Sequence, residues 1–323
     1  MPYLIGTDEA GYGPNLGPLV VSATLWHVPE GVGIDDLYVL LQDVVAPSLD
    51  RSGGCADDRI AVADSKLLYQ PGKGLRHLER GVLAALESLG RQPRRWREVW
   101  SALAPDSLHS LDAIAWYSGY DAPVPLDQNS DLLSATPSRL GEGMAAAGVR
   151  LVEIRSRVIF EEQFNLLIDQ YGTKGESLSQ VTLGLVAELA AAVAGGPIAV
   201  VCDKHGGRNR YARILADHFP ETLVEVYDES RAISLYRFGP AERRMEVRFC
   251  TRAESYLPAA LASMASKYLR ELAMAALNDY WCSRLPGLAR TAGYPSDARR
   301  FKQAITPLQA ALGIEDCALW RCR

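Results

Sequence analysis

Asp8-Glu9-Ala10-Gly11-Tyr12-Gly13-Pro14, continued by Gly17-Pro18, is the stretch on which the reading of the whole chain turns. Tyr3 to Thr7 before it reads as a strand, and Leu19 to Trp26 after it as a second, apolar strand. The glycines between them make the turn of a hairpin that carries two acids at its open end. Adjacent carboxylates in such a place repel each other and lose solvation, a cost that cations offset, and their hard oxygens suit Mg²⁺ or Mn²⁺. The same residues also read as an ordinary turn in which the glycines serve only the bend.

Downstream of the hairpin, Leu75, Leu78, Val82, Leu86 and Leu89 recur at helical spacing. From Arg91 to Gly148 prolines, tryptophans and short polar turns replace that regularity, with one helical stripe at Trp96, Val99, Trp100 and Leu103. This segment reads as an insertion that forms a small lobe. Regular patterning resumes with a strand near Leu151 to Ile154, a helix from Ser177 to Ala194, and the strand Ile198 to Cys202, which delivers Asp203 at the carboxyl edge of a sheet. A helix over Asn209 to Phe219, a strand at Leu223 to Tyr227, and short strands at Ile233 to Phe238 and Met245 to Cys250 come next. After Glu254, residues Leu257, Leu261, Met264, Tyr268 and Leu272 share one face of a long helix, and the tail from Asn278 reads as a helical cap. The class is α/β. No repeat of 20 to 50 residues and no low-complexity tract interrupts it.

Of the 323 residues, 48% are apolar and 23% charged, the balance of a globular chain rather than a disordered or membrane one. A net charge of -5 excludes a generally basic nucleic-acid coat, so any polyanion must meet local basic patches. The cysteines, Cys55, Cys202, Cys250, Cys282, Cys317 and Cys322, form no CxxC pair in a chain too large to need stapling. Reduced thiols and a cytoplasmic location are expected. No basic segment followed by a long apolar run opens the sequence, so no export signal is expected. The most apolar stretch, Leu185 to Cys202, holds Glu188 and breaks at Gly195-Gly196-Pro197, which reads as helix then strand and not as a membrane span.

Three further segments carry candidate chemistry. Asp64-Ser65-Lys66-Leu67 is either a short turn or a site where Lys66 offers a point charge to phosphate. Asp203 either caps the next helix or joins the acids of the hairpin. The loop behind it, Lys204-His205-Gly206-Gly207-Arg208-Asn209-Arg210, has glycines between basic residues, as a phosphate cradle or as a solvated loop, and His205 has no assigned role. Glu254, in Thr251-Arg252-Ala253-Glu254-Ser255, is a fourth acid or a helix-start residue favoured by the macrodipole. Two basic groups, Arg94, Arg95 and Arg97 in the insertion and Arg299, Arg300 and Lys302 in the tail, read as phosphate contacts or as solvated surface.

The opening Asp-Glu-Ala-Gly-x-Gly-Pro-x-x-Gly-Pro resembles the signature of the type 2 ribonucleases H, HII and HIII. Asp64-Ser65-Lys66, Asp203, and Glu254 with the helix bearing Ala262-Ser263-Met264-Ala265-Ser266-Lys267 resemble that family's later motifs in the same order. Ala292-Gly293-Tyr294-Pro295-Ser296-Asp297 resembles the HII tail, whose tyrosine reads the junction between ribonucleotide and deoxyribonucleotide. The resemblance covers about residues 1 to 90 and 149 to 305. Glutamate at 254 is HIII-like, the tail is HII-like, and Tyr12 stands where arginine or lysine is common.

The resemblance implies a ribonuclease H-like fold: a central mixed β-sheet flanked by helices, with a core over 1–90 and 149–275, an insertion at 91–148 and a C-terminal helical cap at 276–323. It implies Asp8, Glu9, Asp203 and Glu254 as catalytic residues and ligands of two divalent cations, Mg²⁺ or Mn²⁺. Substrate would meet Gly11, Tyr12, Gly13, Ser65, Lys66, Lys204, Arg208, Lys267 and Tyr294. The implied partner is an RNA/DNA hybrid or DNA with embedded ribonucleotides, cut to 3′-hydroxyl and 5′-phosphate ends, with no membrane involved and a monomer as the expected state. Rival readings are a noncatalytic hybrid-binding protein and a two-metal nuclease acting on another structure, such as branched DNA.

Overall fold

The computed structural model describes residues 2–49, 59–69, 74–126 and 137–322, so Cys55 and positions 127–136 of the expected insertion lie outside the described residues. In chain order the strands are β1 (Tyr3–Ala10), β2 (Leu19–His27), β3 (Val45–Ala46), β4 (Ile60–Ala61), β5 (Arg150–Ile159), β6 (Ile198–Asp203), β7 (Glu225–Glu229), β8 (Ile233–Phe238) and β9 (Met245–Cys250). The helices are α1 (Leu37–Leu40), α2 (Ser65–Leu68), α3 (Arg76–Ser88), α4 (Trp96–Leu103), α5 (Leu108–Ala113), α6 (Pro137–Ala146), α7 (Glu161–Tyr171), α8 (Lys174–Ala191), α9 (Ala212–His218), α10 (Leu257–Arg284), α11 (Pro295–Ala311) and α12 (Asp316–Leu319).

Seven strands form one mixed sheet in the order β5-β2-β1-β6-β9-β8-β7. β1 is antiparallel to β2 but parallel to β6, and β6 is parallel to β9. The α/β expectation holds, with helices on both faces. Leu4, Val20, Trp26 and Val201 face a core shared with α3, α4 and α10, while Ile5, Val21, Val200 and Val247 face one shared with α7, α8 and α9. Burial on both sides explains why the central strands read as apolar runs instead of clean alternations.

Several boundaries differ from the sequence reading. β1 does not stop at Thr7: pairing with β2 continues through Asp8↔Ser22, Glu9↔Val21 and Ala10↔Val20, which draws both acids into the strand. β5 pairs along all of β2, from Leu19↔Ile159 to His27↔Arg150. The strand read near Leu151 to Ile154 thus extends to Ile159, where the half-exposed Arg155 and Arg157 obscure it in a hydropathy pattern. The expected helix at Ser177 begins at Lys174, capped by Thr173 through Glu176 N at 3.1 Å, and a separate helix, α7, precedes it. α9 is shorter than expected, and β7 lies two residues later.

Residues 91–126 do not form a lobe beside the core. Trp96, Val99, Trp100 and Leu103 are fully buried in the same core as Leu4 and α10, and Trp96 Nε1 donates to Leu272 O at 3.0 Å. Large apolar side chains at helical spacing need a surface to cover, and here that surface is α10. α10 itself passes unbroken through 275 and 276. Among the described residues no helix is long and apolar enough to cross a membrane.

Candidate active site

Strand pairing brings the acids together. β1 and β6 run parallel with Thr7 beside Cys202, so one further step sets Asp8 alongside Asp203 at the same edge of the sheet. β9 pairs Cys250 with Asp203 and then leaves the sheet through a 3₁₀ turn, Ala253–Ser255, that carries Glu254. α2 arrives from the side of α10. Asp64 caps it by accepting from Lys66 N at 3.0 Å, and the Oγ atoms of buried Ser65 and of Ser263 on α10 lie 3.0 Å apart.

These groups sense one another. Burial holds the Asp8 carboxyl well above the usual range, and the charges of Asp203 and Glu254 add to the rise, against the pull of the Ser263 hydroxyl and the Glu9 amide. Glu9 is raised in the same way by burial and then by Asp8 and Asp203, with Lys66 opposing. Burial also raises Asp203, against the N–H groups of Lys204, Ala253 and Arg252, and raises Glu254, to which Asp203 and Asp64 add. Partial burial works against the Lys66 ammonium, but Asp64, Asp8, Glu254 and Asp203 together outweigh it and raise its pKa. One cation thus faces an acidic cluster too large for it to neutralise.

Among the described residues no three His, Cys, Asp or Glu side chains are gathered closely enough to hold an ion as they stand. Successive side chains of a strand point to opposite faces, so Asp8 turns toward α10 and Glu9 away from it. The donor set, all carboxylate oxygen with raised proton affinity, has the chemistry that fits Mg²⁺ or Mn²⁺.

The loops expected to meet substrate lie next to each other. Gly11 needs its φ of 89°, since a Cβ there would stand 2.4 Å from Pro18 O, while Gly13 is exposed with open space around it. Asn15 N and Leu16 N both donate to Gly293 O, at 2.8 and 3.3 Å, which ties this loop to the residue before Tyr294. The Tyr294 ring is 52% exposed. Tyr12 crosses instead toward the loop after Asp203, its hydroxyl packed over Gly206.

The basic residues divide sharply. The Lys66 side chain is exposed and makes no hydrogen bond among the described residues. Lys204, by contrast, uses all three donors inside the protein, on Asn209 Oδ1 (2.8 Å), Ser230 O (2.7 Å) and Ser234 Oγ (3.0 Å). It clamps its loop. Arg208 is paired with Glu176, and Lys267 bonds Glu271 at 2.6 Å and sits over the Tyr69 ring, so neither is free as expected. Arg95 and Arg97 of the insertion pair with Asp121 and Asp112, and Arg300 and Lys302 of the tail pair with Asp297 and Asp316. His205 is a core residue: its Nδ1 lies 2.9 Å from Ser179 Oγ, its amide donates to Tyr211 at 3.0 Å, and burial pushes its pKa down to about 3.

Three contributions come from residues to which sequence reading gave no role, Asp64, the pair Ser263 and Ser266, and Glu161. Asp64 adds to the field on Glu254 and Lys66. Ser263 and Ser266 fix the end of β1 from α10, Ser266 Oγ donating to Asp8 O at 3.0 Å. Their signal was available as two serines one turn apart on the buried face of an otherwise apolar helix. The third contributor, Glu161 on α7, accepts from Gly17 N at 2.8 Å and left no such signal, because it reads as a surface acid at a helix start.

No family model matches the chain, and no curated protein matches it. Among solved structures it is similar to the RNase HII from Archaeoglobus fulgidus in complex with PCNA, at 15% identity over 99% of this chain and 94% of that one, with a TM-score of 0.41. It is also similar to the ribonuclease H2 from Pyrococcus horikoshii OT3 (13%, 98% and 92%, TM-score 0.46) and to Bst-RNase HIII in complex with Mn²⁺ (17%, 99% and 65%, TM-score 0.42). All three are ribonucleases H.

Proposed function

We propose that this protein is an endoribonuclease of the type 2 ribonuclease H kind, hydrolysing the RNA strand of RNA/DNA hybrids or ribonucleotides embedded in DNA. The observation that carries the reading is the meeting of Asp8, Glu9, Asp203 and Glu254 with Lys66 at one sheet edge, each acid raised by burial, and Asp8, Glu9 and Glu254 by acidic neighbours as well. The ordered motifs of the sequence support it.

In this reading the four carboxylates hold two divalent cations, which when bound activate water and stabilise the charge on the leaving oxygen. The chain's own residues position the substrate. Lys66 meets the phosphate, backbone groups of Gly11 and Gly13 approach the ribose, and the exposed Tyr294 ring stands beside them on a loop joined through Gly293. Readout of the 2′-hydroxyl belongs to this group, since that hydroxyl separates RNA from DNA at a given site. The bond from phosphorus to the 3′ oxygen breaks, leaving 3′-hydroxyl and 5′-phosphate ends.

The test is cleavage of a long hybrid and of a duplex with a single ribonucleotide, in Mg²⁺ and in Mn²⁺, with chelator as control. Asp8→Asn and Asp203→Asn each keep size and polarity and remove one charge. Each should lower the rate at least about a hundredfold while hybrid binding persists. Wild-type protein that binds hybrids without cutting them in either metal would favour the noncatalytic rival.

A further inference from the structure

Resting on the nuclease reading, we infer that the cleft beside Asp203 and Glu254 is a second phosphate subsite, in which Arg231 and Arg252 hold the backbone of the bound nucleic acid. The cleft has a volume of about 400 Å³ and is lined by Asp203, Gly207, Asn209, Arg231, Arg252 and Glu254. Two arginines from separate segments, the β7–β8 turn and the turn after β9, line it from the same end of the sheet, where Ile233 at the start of β8 pairs with Cys250 at the end of β9.

Both side chains are exposed, and neither has a hydrogen bond or ion pair with any described residue. Several arginines elsewhere are held by carboxylates instead. Arg91, Arg208, Arg237 and Arg290 are each tied to a carboxylate, as are Arg95 and Arg97 of the insertion. In a chain of net charge -5, two guanidinium groups left without carboxylate partners beside an acidic cluster form a local cationic rim. A guanidinium fork matches phosphate oxygens bidentately, which a lysine in the same place does not.

The backbone supplies a separate observation. Arg252 has φ 64°, and among the described residues no other non-glycine residue has a positive φ. Glycine would adopt this conformation without steric cost, yet arginine occupies it. The turn that forces the strain also brings the Arg252 and Ala253 amides to the Asp203 carboxyl and Glu254 into the cluster, so the arginine is fixed relative to both acids. Lys204, held by Ser230 and Ser234, in turn fixes the β7–β8 turn that bears Arg231.

The experiment measures binding of the full chain to an RNA/DNA hybrid by fluorescence anisotropy, in chelator, across a series of salt concentrations. Arg231→Ala and Arg252→Ala should each weaken binding roughly tenfold and reduce the slope of log affinity against log salt by about one, and the double variant by about two. Arg213→Ala, on α9 and outside the cleft, should leave the slope unchanged. Arg252→Gly should show the same binding loss with a thermal midpoint at or above that of the wild type, which separates lost contact from lost fold. Wild-type slopes in both cleft variants would overturn the subsite alone. A wild-type protein that binds no hybrid at any salt concentration would overturn the nuclease reading and the subsite together.

Discussion

Glu161 lies at the start of a helix, where a carboxylate is ordinarily solvated, yet it is fully buried between two arginines. Its Oε1 accepts from Gly17 N, Arg270 donates to Leu16 O (3.3 Å) and Ala292 O (3.0 Å), and Arg321 N donates to Asn15 O (2.9 Å). The three together brace the loop that carries Gly11 and Gly13. Burial raises the Glu161 carboxyl to about 7 in spite of both guanidinium groups, and lowers Arg321 to about 9. A folded pKa above the unfolded value means that the folded state holds the proton more tightly. Its contribution is therefore complete below the unfolded pKa and is lost as pH rises through about 7. Glu161→Gln keeps an acceptor for Gly17 and removes the titration. Between pH 5 and 8 the variant should lose roughly 2 kcal/mol less stability than the wild type in urea unfolding. Identical pH slopes would show that Glu161 does not titrate in this range.

At the scale of elements, α10 is the part that organises the site. Its 28 residues, about 42 Å at the standard rise, cross β1 and β2 and place Ser263 and Ser266 under Asp8. The crossing is close because Gly6 has no side chain: a Cβ there would stand 2.2 Å from Ala259 N and Pro258 C. Pro258 O also accepts from Thr24 Oγ1 at 2.8 Å, so the helix start is bonded to β2 as well. Gly6→Ala must push the helix off the sheet, since backbone atoms cannot rotate aside. The expected cost is at least about 1–3 kcal/mol in urea unfolding, with Asp8 displaced from Asp203 and activity falling with it. A variant as stable and as active as the wild type would mean that α10 can shift freely. The helix was legible from Leu257, Leu261, Met264, Tyr268 and Leu272 at helical spacing. Its contact with Gly6 was not, because a glycine inside a strand looks the same whether it meets solvent or another backbone.

For the molecule as a whole, the segment read as a small inserted lobe contributes its described residues to the core. Trp96 and Trp100 stack with Tyr117 and Phe160 over α10, and α6 packs on α3. Truncating one such indole costs roughly 3–5 kcal/mol, comparable with the whole stability of many domains. Replacing 91–148 by a short linker should therefore abolish cooperative unfolding, monitored by near-UV circular dichroism, and a deletion variant that still unfolds in one sharp transition would restore the separate lobe. The α/β class, the opening hairpin, the order of the acidic segments and the long helix were written in local pattern, because strand and helix periodicity and turn-forming glycines act over a few residues. Local pattern also indicated that Asp8, Glu9, Asp203 and Glu254 stand at element ends. It could not give which charges find partners. Lys204, Arg208 and Lys267 are equally basic on paper, and only the fold decides that they are clamped while Lys66, Arg231 and Arg252 are left facing open space. The reason is physical: strand periodicity is fixed by neighbours along the chain, whereas the partner of a charged side chain is set by residues distant in sequence that the sheet and α10 bring within a few ångströms.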